Sequence, residues 1–280
     1  MRFLALLALA AFVAAAVAGC GADGSASAPV EAAVVRDVAA DPPAATAASR
    51  CIRSAGRHTI GGTLTYIPKQ LRQRPALLLA FHGLRMDASA LESMTGLDSV
   101  AARRGFIVAY PSALNAQKWQ LNDHDGDDDV NHVRRLIDEL DSTTCADADR
   151  VYLTGFSNGA SFAFRAGCDL VDKVAAIAPV SGSYATQDEC AAGPVPTLEI
   201  HGSDPWTGTV KRLLTDMKRR NKCTQRGVTT RMAPGVSRTV WPGCNLARIY
   251  NKTIGHEWAR TGAYDTGVQV WNFVSRYRLR

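Results

Sequence analysis

None of the seven cysteines in this 280-residue sequence stands in a C-x-x-C pair, so the spacing of a structural zinc site is missing. No basic stripe with interleaved aromatic residues occurs, and no nucleic-acid partner is expected. The apolar stretch from Phe3 to Val17 is too short and too soon interrupted for a membrane-spanning helix. There are no internal repeats, which sets aside solenoid and propeller architectures. Residues 21–50 contain no aromatic side chain and include Pro42-Pro43, so that segment can bury little surface.

What is present begins with an export signal. Arg2 precedes the Phe3–Val17 run, which suits the apolar part of a secretory leader. The run ends in Val17-Ala18-Gly19-Cys20, which resembles a bacterial lipobox. The first 20 residues therefore read as a lipoprotein signal with Cys20 as the lipidated residue. Plain cleavage after Val17-Ala18 or Ser27-Ala28 is the rival reading. Residues 21–50 read as a flexible tether, and residues 51–280 as one catalytic domain. The expected location is the outer face of a bacterial cell membrane, held by the N-terminal lipid, or the extracellular space. Setting Cys20 aside leaves six cysteines, an even number that fits disulfides outside the cytoplasm. Adjacency along the chain favours Cys51–Cys145, Cys168–Cys190 and Cys223–Cys244, although several connectivities remain open.

Hydrophobic residues make up 46% of the chain and the net charge is +6. That composition supplies a core. The cluster Lys218-Arg219-Arg220-Asn221-Lys222 reads as a solvated helix end, with weak attraction to an anionic surface left open. From residue 51 onward, apolar runs alternate with helical patterns. Strands are expected at Leu64–Ile67, Ala76–Phe81, Phe106–Tyr110, Val151–Thr154, Val174–Ala178, Thr197–Ile200 and Ala247–Ile254. Helices are expected at 89–104, 130–140, 158–168, 208–220 and 266–277. Continuous apolar strands alternating with helices imply an α/β architecture, a mostly parallel central sheet with helices on both faces. Ligands of such sheets gather at the carboxyl ends of the strands.

Gly155-Phe156-Ser157-Asn158-Gly159 fits G-x-S-x-G between a strand and a helix. That context predicts Ser157 on a sharp turn, its hydroxyl raised above the sheet as a nucleophile. A serine needs a base held by an acid, and the chain order for this fold class is serine, acid, histidine. His256 follows a late strand and is the candidate base. Asp204 follows the strand Thr197–Ile200 and is the candidate acid. His201 precedes that acid at a strand tip and reads as structural. The backbone amides of Asn158 and Leu84 are the candidate oxyanion donors. His82 reads as an orienting or packing residue.

Together these stretches resemble the secreted polyhydroxybutyrate depolymerase and feruloyl esterase family, including its actinobacterial lipoprotein esterases. The likeness runs from Ala80-Phe81-His82-Gly83 and Tyr110-Pro111 through Asp149–Ala160, then Ala175–Gly182, Ile200-His201-Gly202 and Gly255-His256-Glu257-Trp258. It implies an α/β-hydrolase fold, a Ser–Asp–His triad and no cofactor. The expected activity is carboxylic ester hydrolysis through an acyl-enzyme, on short-chain, hydroxyalkanoate-oligomer, feruloyl or acetyl esters. The expected partners are an ester substrate and, through the lipid, a membrane, with the chain acting as a monomer. Departures from the family lie in the single residue between Gly202 and Asp204, in His132, and in Ala259-Arg260. A serine peptidase and a non-catalytic surface lipoprotein are the alternatives.

Two further signals compete. Asn122–Asp129 is acidic and looks like a cation loop. Counted from Asp123, however, the sixth and twelfth positions hold Asp128 and Arg134, where the calcium template needs Gly and Glu. No metal is expected, and Asp128 or Asp129 is expected to cap the following helix. Trp119, Trp206, Trp241 and Trp258 fall in or beside loops, where substrate stacking and packing are equally supported.

Overall fold

Strands of unbroken apolar sequence need cover on both faces, and that requirement organises the fold. The computed structural model describes residues 51–115, 117–182, 195–203, 207–261 and 264–279. The chain enters through an antiparallel hairpin, β1 (Gly56–Ile60) and β2 (Thr63–Ile67). Then come β3 (Leu77–Phe81), β4 (Ile107–Tyr110), β5 (Val151–Phe156), β6 (Ala176–Val180) and β7 (Thr197–Gly202), each buried along its whole length. A second hairpin, β8 (Val228–Ala233) and β9 (Val236–Trp241), leads to β10 (Leu246–Asn251). These ten strands form one sheet in the order β1-β2-β4-β3-β5-β6-β7-β10-β9-β8. The six from β4 to β10 run parallel, and antiparallel pairs extend both margins. Two short strands, β11 (Arg260–Thr261) and β12 (Tyr264–Asp265), pair separately.

Helices α1 (Ala88–Thr95), α2 (Leu97–Arg104) and α6 (Thr266–Val274) cover one face, over a core that includes Leu91, Val100, Val270 and Trp271. Helices α3 (Asp128–Thr144), α4 (Asn158–Asp169) and α5 (Thr207–Arg220) cover the other, over Val133, Leu136, Phe162 and Leu213. This is the layered architecture expected from the sequence, with three refinements. The single helix expected over 89–104 is two, because Gly96 adopts φ 58 and ends α1 with a left-handed cap. The strand expected to stop at Pro179 runs through it. Ile177 and Ser181 donate to Pro196 and Ile200, and Pro179, between them and without an N–H, skips one rung of the ladder to β7. Neither Asp128 nor Asp129 caps α3. The N-cap is Asp127, whose side chain makes no capping bond, and Asp129 is drawn into the interior.

Disulfides join Cys51 to Cys145 and Cys223 to Cys244. Cys168 lies in α4, and its expected partner Cys190 falls outside the described residues. Structural disulfides of this kind belong to exported proteins.

Candidate active site

Ser157 occupies the turn between β5 and α4 with φ 56 and ψ −117, a conformation that costs a non-glycine residue energy and clusters at functional sites. The neighbouring glycines make the turn passable. A Cβ on Gly155 would lie 2.4 Å from the Gly159 carbonyl oxygen, and one on Gly159 would lie 2.2 Å from that of Phe81. The amide of Ser157 donates to the Val180 carbonyl at 3.0 Å, which ties the turn to β6. Asn158 opens α4, so its amide belongs to the unpaired, electropositive start of a helix.

The loop after β3 lies directly beside this turn. A Cβ on Gly83 would sit 3.5 Å from the Cβ of Ser157. Buried His82 accepts the Ala113 amide at Nε2 (3.2 Å) and therefore carries its proton on Nδ1, which lies 2.9 Å from the Gly83 carbonyl. Burial also pushes the His82 pKa down and keeps the ring neutral. The Gly83 carbonyl and the Leu84 amide are opposite ends of one planar peptide unit, so fixing the first orients the second.

The base candidate approaches from β10. The His256 ring packs 4.9 Å from the ring of Phe156, the residue before Ser157. The loop carrying it is tied to the end of β7, where the Ser203 amide donates to the Ile254 carbonyl at 2.7 Å. Gly202 permits this contact, since a Cβ there would lie 2.0 Å from the Gly255 carbonyl oxygen. Ser157, the Gly83–Leu84 loop and His256 thus stand at the carboxyl ends of β5, β3 and β10. Asp204 lies outside the described residues, one position beyond Ser203. His201 is a buried strand residue of β7, with Nδ1 3.2 Å from Glu199 Oε1, while Arg248 Nε lies 3.0 Å from Glu199 Oε2.

A wall that the sequence reading missed closes the far side. Asp129 Oδ1 accepts the Leu114 amide and its Oδ2 accepts the Gln120 amide, both at 2.9 Å. Buried Arg165, two turns after Ser157, donates to the carbonyls of Gln120, Asn122 and Gly126 and pairs with Asp127 and Asp169. The loop that looked like a cation site holds a guanidinium. Asn158 Oδ1 accepts the Trp119 amide at 2.9 Å, and Trp119 Nε1 donates to the His82 carbonyl. Trp119 stacks on Phe162 at 4.5 Å and is fully buried. Trp241 and Trp258 are buried as well, so packing accounts for all three, and Trp206 lies outside the described residues. The one available signal for Arg165 was its place in an otherwise small and apolar helix.

The order of strands and the serine turn define an α/β-hydrolase fold. Solved structures agree at the level of fold: an acetyl xylan esterase from Aspergillus awamori matches with TM-score 0.65 at 16% identity, over 79% of this chain and 99% of its own. The feruloyl esterase module of Clostridium thermocellum matches with TM-score 0.56 at 14% identity, over 80% of this chain and 87% of its own. No protein-family model matches the chain. Among curated proteins, it is 29% identical over 228 residues to a bifunctional acetylxylan esterase/xylanase of Neocallimastix patriciarum. It is 33% identical over 138 residues to a putative esterase of Nocardia uniformis, and 34% over 136 residues to a feruloyl esterase B of Piromyces equi. The matches cover 76%, 46% and 45% of this chain, but only 33%, 40% and 25% of those relatives. Acetylxylan and feruloyl esterases are thus among the proteins this chain is similar to, and feruloyl esterases also belong to the family that its motifs resemble.

Proposed function

We propose that the chain is a carboxylic ester hydrolase using Ser157 as nucleophile, His256 as base and Asp204 as the acid that orients it. The Ser157 turn carries this reading: strained, glycine-flanked, and set against both the β3 loop and the His256 ring. The Ser157 hydroxyl attacks the ester carbonyl and its proton passes to the His256 imidazole. The amides of Leu84 and Asn158 hold the resulting oxyanion. The imidazolium returns the proton to the departing alcohol, leaving an acyl-serine. Water, deprotonated by the same imidazole, then releases the acid and restores the serine.

The names of the relatives favour acetyl and feruloyl esters borne on polysaccharide. A fluorophosphonate should label Ser157, and Ser157→Ala should lower ester turnover by about 10⁶-fold without unfolding the chain. Labelling elsewhere, or full turnover in that variant, removes the serine mechanism. Hydrolysis of acetylated xylan and methyl ferulate, set against hydroxybutyrate oligomers and peptides, fixes the substrate class. We also propose that residues 1–20 are an export signal, that Cys20 carries lipid and that 21–50 tether the enzyme. The two described disulfides support passage to an oxidising compartment.

A further inference from the structure

The positive charge of this chain is concentrated. Between Met217 and His256 there are nine Lys and Arg and no Asp or Glu, against 23 Lys and Arg and 26 Asp and Glu in the rest. The segment builds the end of α5, the β8–β9 hairpin and β10 at one margin of the sheet. Arg219 and Arg248 pair with Asp216 and Glu199, whereas Arg226 and Arg231 are exposed and Arg238 Nε has no hydrogen-bond partner. The strongest charge acting on Arg238 is a like one, Arg276.

The same hairpin is apolar where an edge strand is ordinarily polar. Val228, Met232 and Val240 are 57%, 36% and 38% exposed, three of the five exposed large hydrophobics among the described residues. Val228 and Val240 are direct cross-strand partners, and Arg238 stands next to them, opposite Thr230. Apolar side chains on the same face as the Arg238 side chain, with Arg226 and Arg231 exposed nearby in the chain, suit a surface that offers both anionic charge and hydrocarbon. An acidic polysaccharide offers only the first.

We propose that the β8–β9 hairpin docks on an anionic phospholipid bilayer, with Val228 and Val240 entering the headgroup layer and Arg226, Arg231 and Arg238 meeting lipid phosphates. The hairpin turn lies beside the end of β10, where the Lys252 amide donates to the Gly235 carbonyl at 2.9 Å. Val228 and Val240 stand at the other, open end of the hairpin, where Val240 pairs with Ala247 near the start of β10, so docking through them brings the amino edge of the sheet, opposite Ser157, to the membrane.

Co-sedimentation of the full chain with vesicles tests this. One set is phosphatidylcholine alone and the other has equal phosphatidylglycerol, so that the comparison cancels any contribution of the Phe3–Val17 run. The acidic vesicles should bind about tenfold tighter, and about 0.5 M NaCl should erase that advantage. Arg226→Glu with Arg231→Glu should erase it at low salt, with an unchanged thermal unfolding transition as the check on folding. Val228→Ser with Val240→Ser should weaken binding at both salt levels. Equal binding to the two vesicle sets overturns the proposal. So does charge reversal that leaves vesicle binding intact while abolishing binding to polygalacturonate, or while dissociating a dimer.

Discussion

Asp98, in the first turn of α2, accepts a hydrogen bond from Tyr110 Oη at 2.6 Å. Its carboxyl is pushed up to about 7, chiefly because burial penalises the charge; the Tyr110 bond works in the opposite direction. A carboxyl that holds its proton more tightly when folded stabilises the fold at low pH, and that stability is lost as pH rises from about 4 to about 7. Asp98→Asn keeps an acceptor for Tyr110 and cannot ionise. Its melting temperature should match the wild type near pH 4 and exceed it near pH 8; parallel pH profiles would refute the assignment. At this scale the sequence was readable where a motif imposes geometry, as at the glycine-flanked turn of Ser157. It was opaque at Arg165 and Asp129. Their role comes from backbone carbonyls and amides of a loop some 40 residues away from Arg165 in the chain, and no spacing rule encodes such partners.

Among the elements, the buried parallel strands were legible because continuous apolar runs have few other uses. The β8–β9 hairpin was not. β8 is exposed at five consecutive positions and shows no alternation of inward and outward residues. The turn dipeptide Pro234-Gly235 between two Thr- and Val-containing runs was the remaining signal. So thinly covered a hairpin needs a staple, and Cys223–Cys244 provides one by joining the segment just past α5 to the turn between β9 and β10. Replacing both cysteines by Ala should lower stability by about 3 kcal/mol through restored freedom of the unfolded chain. Urea denaturation measures it, and a loss well under 1 kcal/mol would mean that the packing of Trp241 under Lys218 holds the hairpin without help.

For the molecule as a whole, the layered α/β plan followed from the alternation of elements, whereas the strand order did not. That order depends on which long-range pairings close, and local pattern carries no record of it. The proposed lipid at Cys20 is testable at this scale. In cells, Cys20→Ser should move the enzyme from the membrane fraction to the medium, and retention in the membrane fraction would argue for anchorage by other means.

If residues 21–50 form the proposed tether, load enters at the point where the domain begins. Here that point is Cys51, cross-linked to Cys145 at the C-cap of α3, just before β1, an antiparallel edge strand. Edge strands pulled from one end unzip one rung at a time, which makes them poor mechanical attachments. With the cross-link in place, traction on the N-terminal side of residue 51 is shunted into a 17-residue helix packed on the core, and β1 stays unloaded.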